Sequence, residues 1–356
     1  MGIFSEVKMR RSDFVVMMLG MVLMALSGSC SVIDEDLSDC GEDLKLHYDL
    51  RLVTNLSIEL QTELDRRNDA NLIKALREYL APIFSDYAHD IDLSYYDVQG
   101  DYARLHHEQH IMDANELSYT VYLPRRQYRH SAVANLERNG VVTFEGSDFC
   151  HTAHFTQPQQ ETVTPHKTGL FTARQDIHLE DGVNKTYYIH MYMANCGAAL
   201  VLDTSEATFT DLKVVATGFA SRFNIADSTY VFDGTSPMVV ADRINTGNSG
   251  QLCFCTINFP SPEPDAGKTR DIIDVDDSSV SVEAEKALWQ FRVYATLADG
   301  TVTESVLGVR KPLLAGWFQI LHAHVYPDGT LEPGEPEVAV SVTLDWKEDG
   351  QYEVPL

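Results

Sequence analysis

The chain has 356 residues, 44% of them hydrophobic, and a formal charge of −26 from 27 Lys plus Arg against 53 Asp plus Glu. A surface of that sign repels nucleic acid phosphates and anionic headgroups, so neither is expected as a partner. With 16 Tyr and 15 Phe there is ample material for packed cores, which excludes a disordered acidic tail.

Lys8, Arg10 and Arg11 precede a nearly unbroken apolar run from Phe14 to Leu26. That run is too short to cross a bilayer core as a helix, which takes about 20 residues, so residues 1–29 read as a signal peptide. Leu26, the small residues Ser27, Gly28 and Ser29, and then Cys30 resemble a bacterial lipobox, in which the signal is cut before the cysteine and the thiol is acylated. Cys30 is therefore the expected lipid attachment site. Palmitate or related chains, two or more together, hold firmly because each buried methylene contributes roughly 0.8 kcal/mol. An ordinary secretory signal that happens to contain a cysteine is the alternative. Residues 30–43 form an acidic leader, and the stretch from 31 to 44 has six acidic residues and no Lys or Arg. A protease specific for basic residues finds nothing there to cut. Acids this close to a lipidated cysteine resemble a surface-export signal; a soluble spacer is the plainer reading.

Beyond the leader the chain reads as predominantly β. In "DLKLHYDLRL" the residues Leu44, Leu46, Tyr48, Leu50 and Leu52 fall on one face of a strand, with Lys45, His47, Asp49 and Arg51 on the other. One helix is expected, capped by Asp69, with Leu72, Leu76, Tyr79 and Leu80 at helical spacing until Pro82 ends it. "LSYTVYLP" alternates through Tyr119, Val121 and Leu123, and "EVAVSVTLDW" does so from Val338 to Trp346. Turn clusters such as "NTGNSG", "LADG" and "YPDG" recur between such runs, the pattern of sandwiches and not of a parallel sheet with crossover helices. The polar stretch 172–186 is the expected junction, giving an N-terminal β-sandwich over 44–178 and a C-terminal one over 179–356.

Without Cys30 the cysteines are Cys40, Cys150, Cys196, Cys253 and Cys255, an odd number that fits no disulfide framework. A bridge such as Cys40 to Cys150 stays open. Cys253 and Cys255 alternate along "QLCFCTINF" and read as two small buried hydrophobes on one strand face.

Three constellations invite metal chemistry, and each has a blander reading. "LHHEQH" places His106 and His110 four apart, but position 107 is His where a zinc-protease helix needs Glu, so a solvated loop is expected. His322 and His324 share one strand face, yet nothing in the sequence brings them to Cys253 and Cys255. Asp274, Asp276, Ser278 and Glu285 match calcium-loop positions 1, 3, 5 and 12, but Ser279 stands where the sharp turn needs Gly. No metal or cofactor is expected. No catalytic signature emerges either, since there is no phosphate-binding loop and no nucleophile elbow, so the chain is read as a non-enzyme.

The blocks "YTVYLPRRQYRHSAVAN", "TGLFTARQDIHL", "YIHMYMANCGAALVLD", "TGFASRFNIADSTYVFDG", "CFCTINFPS" and "VSVTLDWKEDGQY", with "DEDLSDC" after the lipidated cysteine, resemble the FimB-like fimbrial anchor family. Its members are lipoproteins of type V pili on anaerobic gut and oral bacteria. A Gly-Tyr turn usual after the "LP" element is replaced here by Arg126, Gln127 and Tyr128. The resemblance implies two transthyretin-like β-sandwich domains in tandem, a lipid anchor in the cell outer membrane, and a fimbrial shaft subunit as partner through β-strand addition. In shaft subunits of that kind an arginine-directed protease removes a leading strand, and a neighbour's strand fills the groove. The leader here offers no such cut; Arg51 is expected inside a strand, and Arg66 and Arg67 in "DRRND" are the exposed weak point. Three readings follow: an anchor that holds the shaft and limits its length, a tip or accessory adhesin, or a surface lipoprotein that binds or cleaves glycans.

Overall fold

The segment LKLHYDLRLV, alternating apolar and polar, forms strand β1 (Leu44–Val53) in the computed structural model of the chain. The structure describes residues 44–53, 69–84, 88–111, 118–158, 162–179, 185–232, 236–264, 287–334 and 338–344. After β1 come helix α1 (Ala70–Leu80) and strands β2 (Asp90–Asp97), β3 (Arg104–Ile111), β4 (Ser118–Leu123), β5 (Gln127–Ala134), β6 (Thr143–Glu145), β7 (His154–Thr156), β8 (Thr162–Val163), β9 (Phe171–His178) and β10 (Lys185–Met193). Then follow β11 (Cys196–Asp203), β12 (Phe209–Thr217), β13 (Arg222–Asn224), β14 (Thr229–Val231), β15 (Met238–Val240), β16 (Asp242–Ile244) and β17 (Gln251–Asn258). The last five are β18 (Trp289–Leu297), β19 (Val302–Val309), β20 (Phe318–Val325), β21 (Leu331–Pro333) and β22 (Val338–Leu344). The fold is all-β with one short α-helix among the described residues, as the sequence pattern predicts.

The first sheet has the order β3-β2-β5-β9-β10-β1-β4. Strands β9 and β10 touch at one end only, Tyr192 opposite Thr172 and Met193 opposite Phe171. The sheet therefore divides into β3-β2-β5-β9 and β10-β1-β4. Residues from both halves, Leu93, Tyr128 and Ala132 from one and Leu46, Val121 and Ile189 from the other, meet in a single core. Helix α1 adds Leu72, Ile73, Leu76 and Leu80 to that core. It starts where the Asp69 carboxylate accepts from the Leu72 N–H at 3.0 Å, which satisfies one of the orphan donors of the first turn. After β4 the chain turns without glycine, and the Tyr128 hydroxyl donates to the Pro124 carbonyl at 3.0 Å.

A second sandwich packs a five-stranded sheet, β16-β17-β11-β20-β21, on a six-stranded one, β22-β19-β18-β12-β15-β8. Leu200, Phe254 and Leu321 of the first meet Val214, Phe291 and Leu307 of the second. A four-stranded sheet, β14-β13-β7-β6, has its own small core around Phe155, Phe223 and Phe259. Strand β11 is buried on both faces: Ala198, Leu200 and Leu202 enter the second core, and Ala199 and Val201 enter the first. Its sequence CGAALVLD is a nearly continuous apolar run, as a doubly covered strand requires.

The expected division at residue 178 falls between β9 and β10, which pair at one end only; the main run of second-sandwich strands follows Ala194 and Asn195, with β8 joining that sandwich from earlier in the chain. The segment LHHEQH, expected as a loop, is edge strand β3 paired along β2. It shows no apolar alternation because its side chains pair with one another and with β2, as set out below.

Candidate functional site

Strand β1 occupies an interior slot. It runs parallel to β10, Leu46 to Val53 opposite Lys185 to Tyr192. Its other edge runs antiparallel to β4, Leu44 to Asp49 opposite Leu123 to Ser118. Both backbone edges are thus paired, and Leu46 is fully buried beside Val121, Leu123, Ile189 and Met191. On the other face His47 is exposed, its Nδ1 3.4 Å from the Thr120 hydroxyl. Without β1 two facing strand edges and an apolar trough would stand open, the arrangement that accepts an added strand through backbone pairing with side chains setting register. Arg51 lies inside β1 in register with His190, so its backbone is part of the ladder.

At the other end of the described chain, β22 pairs with β19 over seven residues, Val338 to Leu344 opposite Val309 to Thr303, and so closes its own domain. The YPDG turn before it is built as expected, with Gly329 at φ 83° and the Thr330 N–H donating to Asp328.

Between the two sandwiches lies an apolar seam with polar ends. Cys253, Cys255 and Ile257 of β17 face the first core alongside α1. At one end of the seam the Asp69 carboxylate also accepts from Asn248 Nδ2 at 3.2 Å and Gln251 Nε2 at 3.0 Å, and Asn71 donates to Asn248 at 2.9 Å. Burial alone would raise the Asp69 carboxyl, but donors from Leu72, Gln251 and Asn248 hold it below its ordinary value. Further along, the Tyr79 hydroxyl donates to Asp242 at 2.7 Å; burial raises that phenol, and the neighbouring Cys255 and Asp242 add to it. Where the chain changes sandwich, Asn195 is fully buried and saturated. Its amide donates to the Thr168 carbonyl at 2.8 Å, and its side-chain oxygen accepts from Leu170 N–H at 3.1 Å. Asn139 continues the network, accepting from Val142 N–H at 3.0 Å. Sequence reasoning missed these asparagines: "NTGNSG" reads as a turn, and nothing local marks Asn248 as the partner of a helix cap.

Cys150, Cys196, Cys253 and Cys255 are free, buried thiols. Burial pushes Cys253 up to about 12 and raises the others, so none is a reactive thiolate at neutral pH. The pair on β17 is the two small hydrophobes expected. Structure does join the sheet positions that sequence left apart: Val201 of β11 is opposite Cys253 on one side and His322 on the other. Yet His324 turns to Asp203, 3.3 Å away, and no group of three or more His, Cys, Asp or Glu is arranged to hold a metal among the described residues. On β3, Glu108 sits between His106 at 2.5 Å and His110 at 3.0 Å, while His107 on the opposite face meets Asp92 at 2.7 Å. These carboxylate pairings replace the hydrophobic face that the strand lacks. Cys30, the leader 30–43, Cys40, Arg66, Arg67, the segment with Asp274 to Glu285, and Trp346 lie outside the described residues. No helix among the described residues is long and apolar enough to cross a membrane.

No protein-family model matches the chain, and no curated protein matches it. Several solved structures overlap it at low identity. A candidate adhesin from Bacteroides ovatus superposes with a TM-score of 0.48 and 13% identity, covering 85% of this chain and 96% of that one. The fimbrial anchor protein Mfa2 of Porphyromonas gingivalis gives 0.44 and 10%, covering 85% and 98%. The tip fimbrial protein Mfa3 of the same organism, truncated at its C-terminus, gives 0.39 and 12%, covering 85% and 100%. At these scores the overlap decides neither fold nor role, and both rest on this chain's own residues.

Proposed function

We propose that this chain is a lipid-anchored fimbrial subunit of the FimB-like kind, fastened to the outer membrane through Cys30 and engaging a pilus shaft subunit by β-strand addition. The observation that carries the reading is a leading strand, β1, paired on both edges and directly preceded by a leader with no basic residue. A shaft subunit must lose its first strand to open an acceptor slot. Here that slot is filled by the chain's own residues, and the link between strand and lipidated cysteine offers no arginine to cut. The protein then cannot be extended through that slot, so it stands at the end of a filament and meets the shaft through another edge or by giving away a strand. Such a subunit limits filament length as well as holding it.

The test replaces Cys30 by Ser in the source bacterium. Under this reading filaments are shed into the medium while the protein itself stays folded. Filaments that remain cell-bound in the Cys30→Ser strain exclude an anchor, and filaments that remain bound but no longer adhere when the gene is deleted favour the tip or accessory role.

A further inference from the structure

We infer that the outer face of β10, with the cleft at its end, is a binding track for a neutral glycan chain, a function separate from anchoring and independent of it. Among the described residues the three most exposed large hydrophobic side chains are Tyr188 at 63%, Tyr192 at 61% and Tyr122 at 57%. All three point from one face of the half-sheet β10-β1-β4, since Tyr188 and Tyr192 alternate with buried Ile189 and Met191, and Tyr122 with buried Val121 and Leu123. Exposed His190 stands between the first two, so three rings occupy every second position of one strand. Four residues of strand set Tyr188 and Tyr192 roughly 13 Å apart, in a straight row.

The row leads into a concavity. His190 and Tyr192 also line a cleft of about 350 Å³, closed on its other sides by Thr172, Arg174, Phe223 and Tyr230. Its inner wall is fixed: Phe223 is buried, and the Tyr230 hydroxyl donates to the Ala194 carbonyl at 2.7 Å. A volume of this size, aromatic walls and a few polar groups at the rim are the attributes of a small-ligand site.

The chemistry of the face selects the ligand. Its described outward positions, His47, Thr120, Tyr122, Thr186, Tyr188, His190 and Tyr192, offer rings, hydroxyls and imidazoles. A lipid surface would call for a broad aliphatic face. The charge of −26 repels polyanions such as nucleic acid. A pyranose ring has an apolar C–H face that stacks on an aromatic ring, and a rim of hydroxyls that hydrogen-bonds to tyrosine, threonine and histidine. A chain of such rings laid along β10 would meet Tyr188, His190 and Tyr192 in turn and end in the cleft, where Arg174 donates.

Affinity electrophoresis of the full chain through gels holding arabinoxylan, mannan, mixed-linkage β-glucan or galactomannan tests this. At least one of them should retard the protein, and Tyr188→Ala with Tyr192→Ala should weaken that binding at least tenfold. Tyr122→Ala, off the row, should change it less than threefold. Replacing both row tyrosines by Phe keeps the rings and should retain at least a third of the affinity, which separates stacking from any loss of folding. The proposal is overturned if none of the four polysaccharides retards the wild-type protein, if the Ala pair binds as well as wild type, or if the Ala pair keeps its glycan binding and loses binding to purified shaft subunit.

Discussion

Each sandwich contains a strand held between one antiparallel and one parallel neighbour: β1 between β4 and β10, β11 between β17 and β20. Pairing is the same, but burial is not. From Cys196 to Leu202 every residue of β11 is buried, and at Gly197 a Cβ would lie 2.6 Å from Ile257 Cδ1 and 2.7 Å from Phe318 Cδ2. On β1, Leu46 is buried and the adjacent His47 is exposed. Taking away a strand with one wet face uncovers a single core; a strand with two dry faces is the floor of both cores at once. Hydrogen-bonding topology therefore does not separate β1 from β11. The second face does.

The largest expected effect lies on β11. Leu200→Asp places an unpaired charge in the second core and should cost more than about 4 kcal/mol, leaving no folded protein, whereas His47→Asp on the wet face of β1 should move stability by under about 0.5 kcal/mol in urea unfolding. Equal losses at the two sites would erase the comparison. Next in size, Leu46→Ala should cost about 2 to 5 kcal/mol. A chain beginning at residue 54 should bind a synthetic Leu44–Val53 peptide and regain the lost stability, which a scrambled peptide does not restore. Failure of the native peptide to rescue would mean that β1, too, is inseparable from its fold.

A smaller effect is set by acid. Burial pushes His166, packed against β17 with its backbone N–H on the Ile257 carbonyl at 2.9 Å, down to about 3 from an ordinary 6.5. His130 in the first sandwich is pushed down by burial to about 4, its ring stacked 4.5 Å from Tyr95. Between those values and 6.5 the unfolded chain takes up protons that the folded chain refuses. Stability is therefore full above about pH 6.5 and declines below it, by about 1.4 kcal/mol per pH unit for each histidine. His166→Gln should remove about half of that slope between pH 6.5 and 5, as read from urea midpoints; an unchanged slope would show that the junction around Asn195 is open to water.

Much of this was legible in single stretches. The helix from Asp69 carried its cap and its stripe, and the strands at 44, 118 and 338 carried a clean period of two; Leu46 on the first and Val121 and Leu123 on the second enter the core. What was not legible depends on partners far away in the chain. Edge strand β3 satisfies itself through Asp92, Glu108 and three histidines, so no hydrophobic period marks it. Cys253 and Cys255 could be placed on one face, but not against α1 and the first core. The polar stretch from 172 reads as a linker, yet β9 within it pairs along β5 from Phe171 to His178, and on its outer face Asp176 takes the Arg129 guanidinium of β5 at 2.9 Å. The row of tyrosines on β10 was invisible for the same reason: "YYIHMYM" gives an aromatic run, and only the register with β1 says which rings point outward.

Intact mass of the protein extracted from outer membranes probes the proposal at its root. The account predicts a single species that starts at Cys30, carries the added mass of two or three acyl chains, and extends unbroken past Arg66 and Arg67. A species with a bare thiol at Cys30, or one that begins after Arg67 without β1, would contradict it.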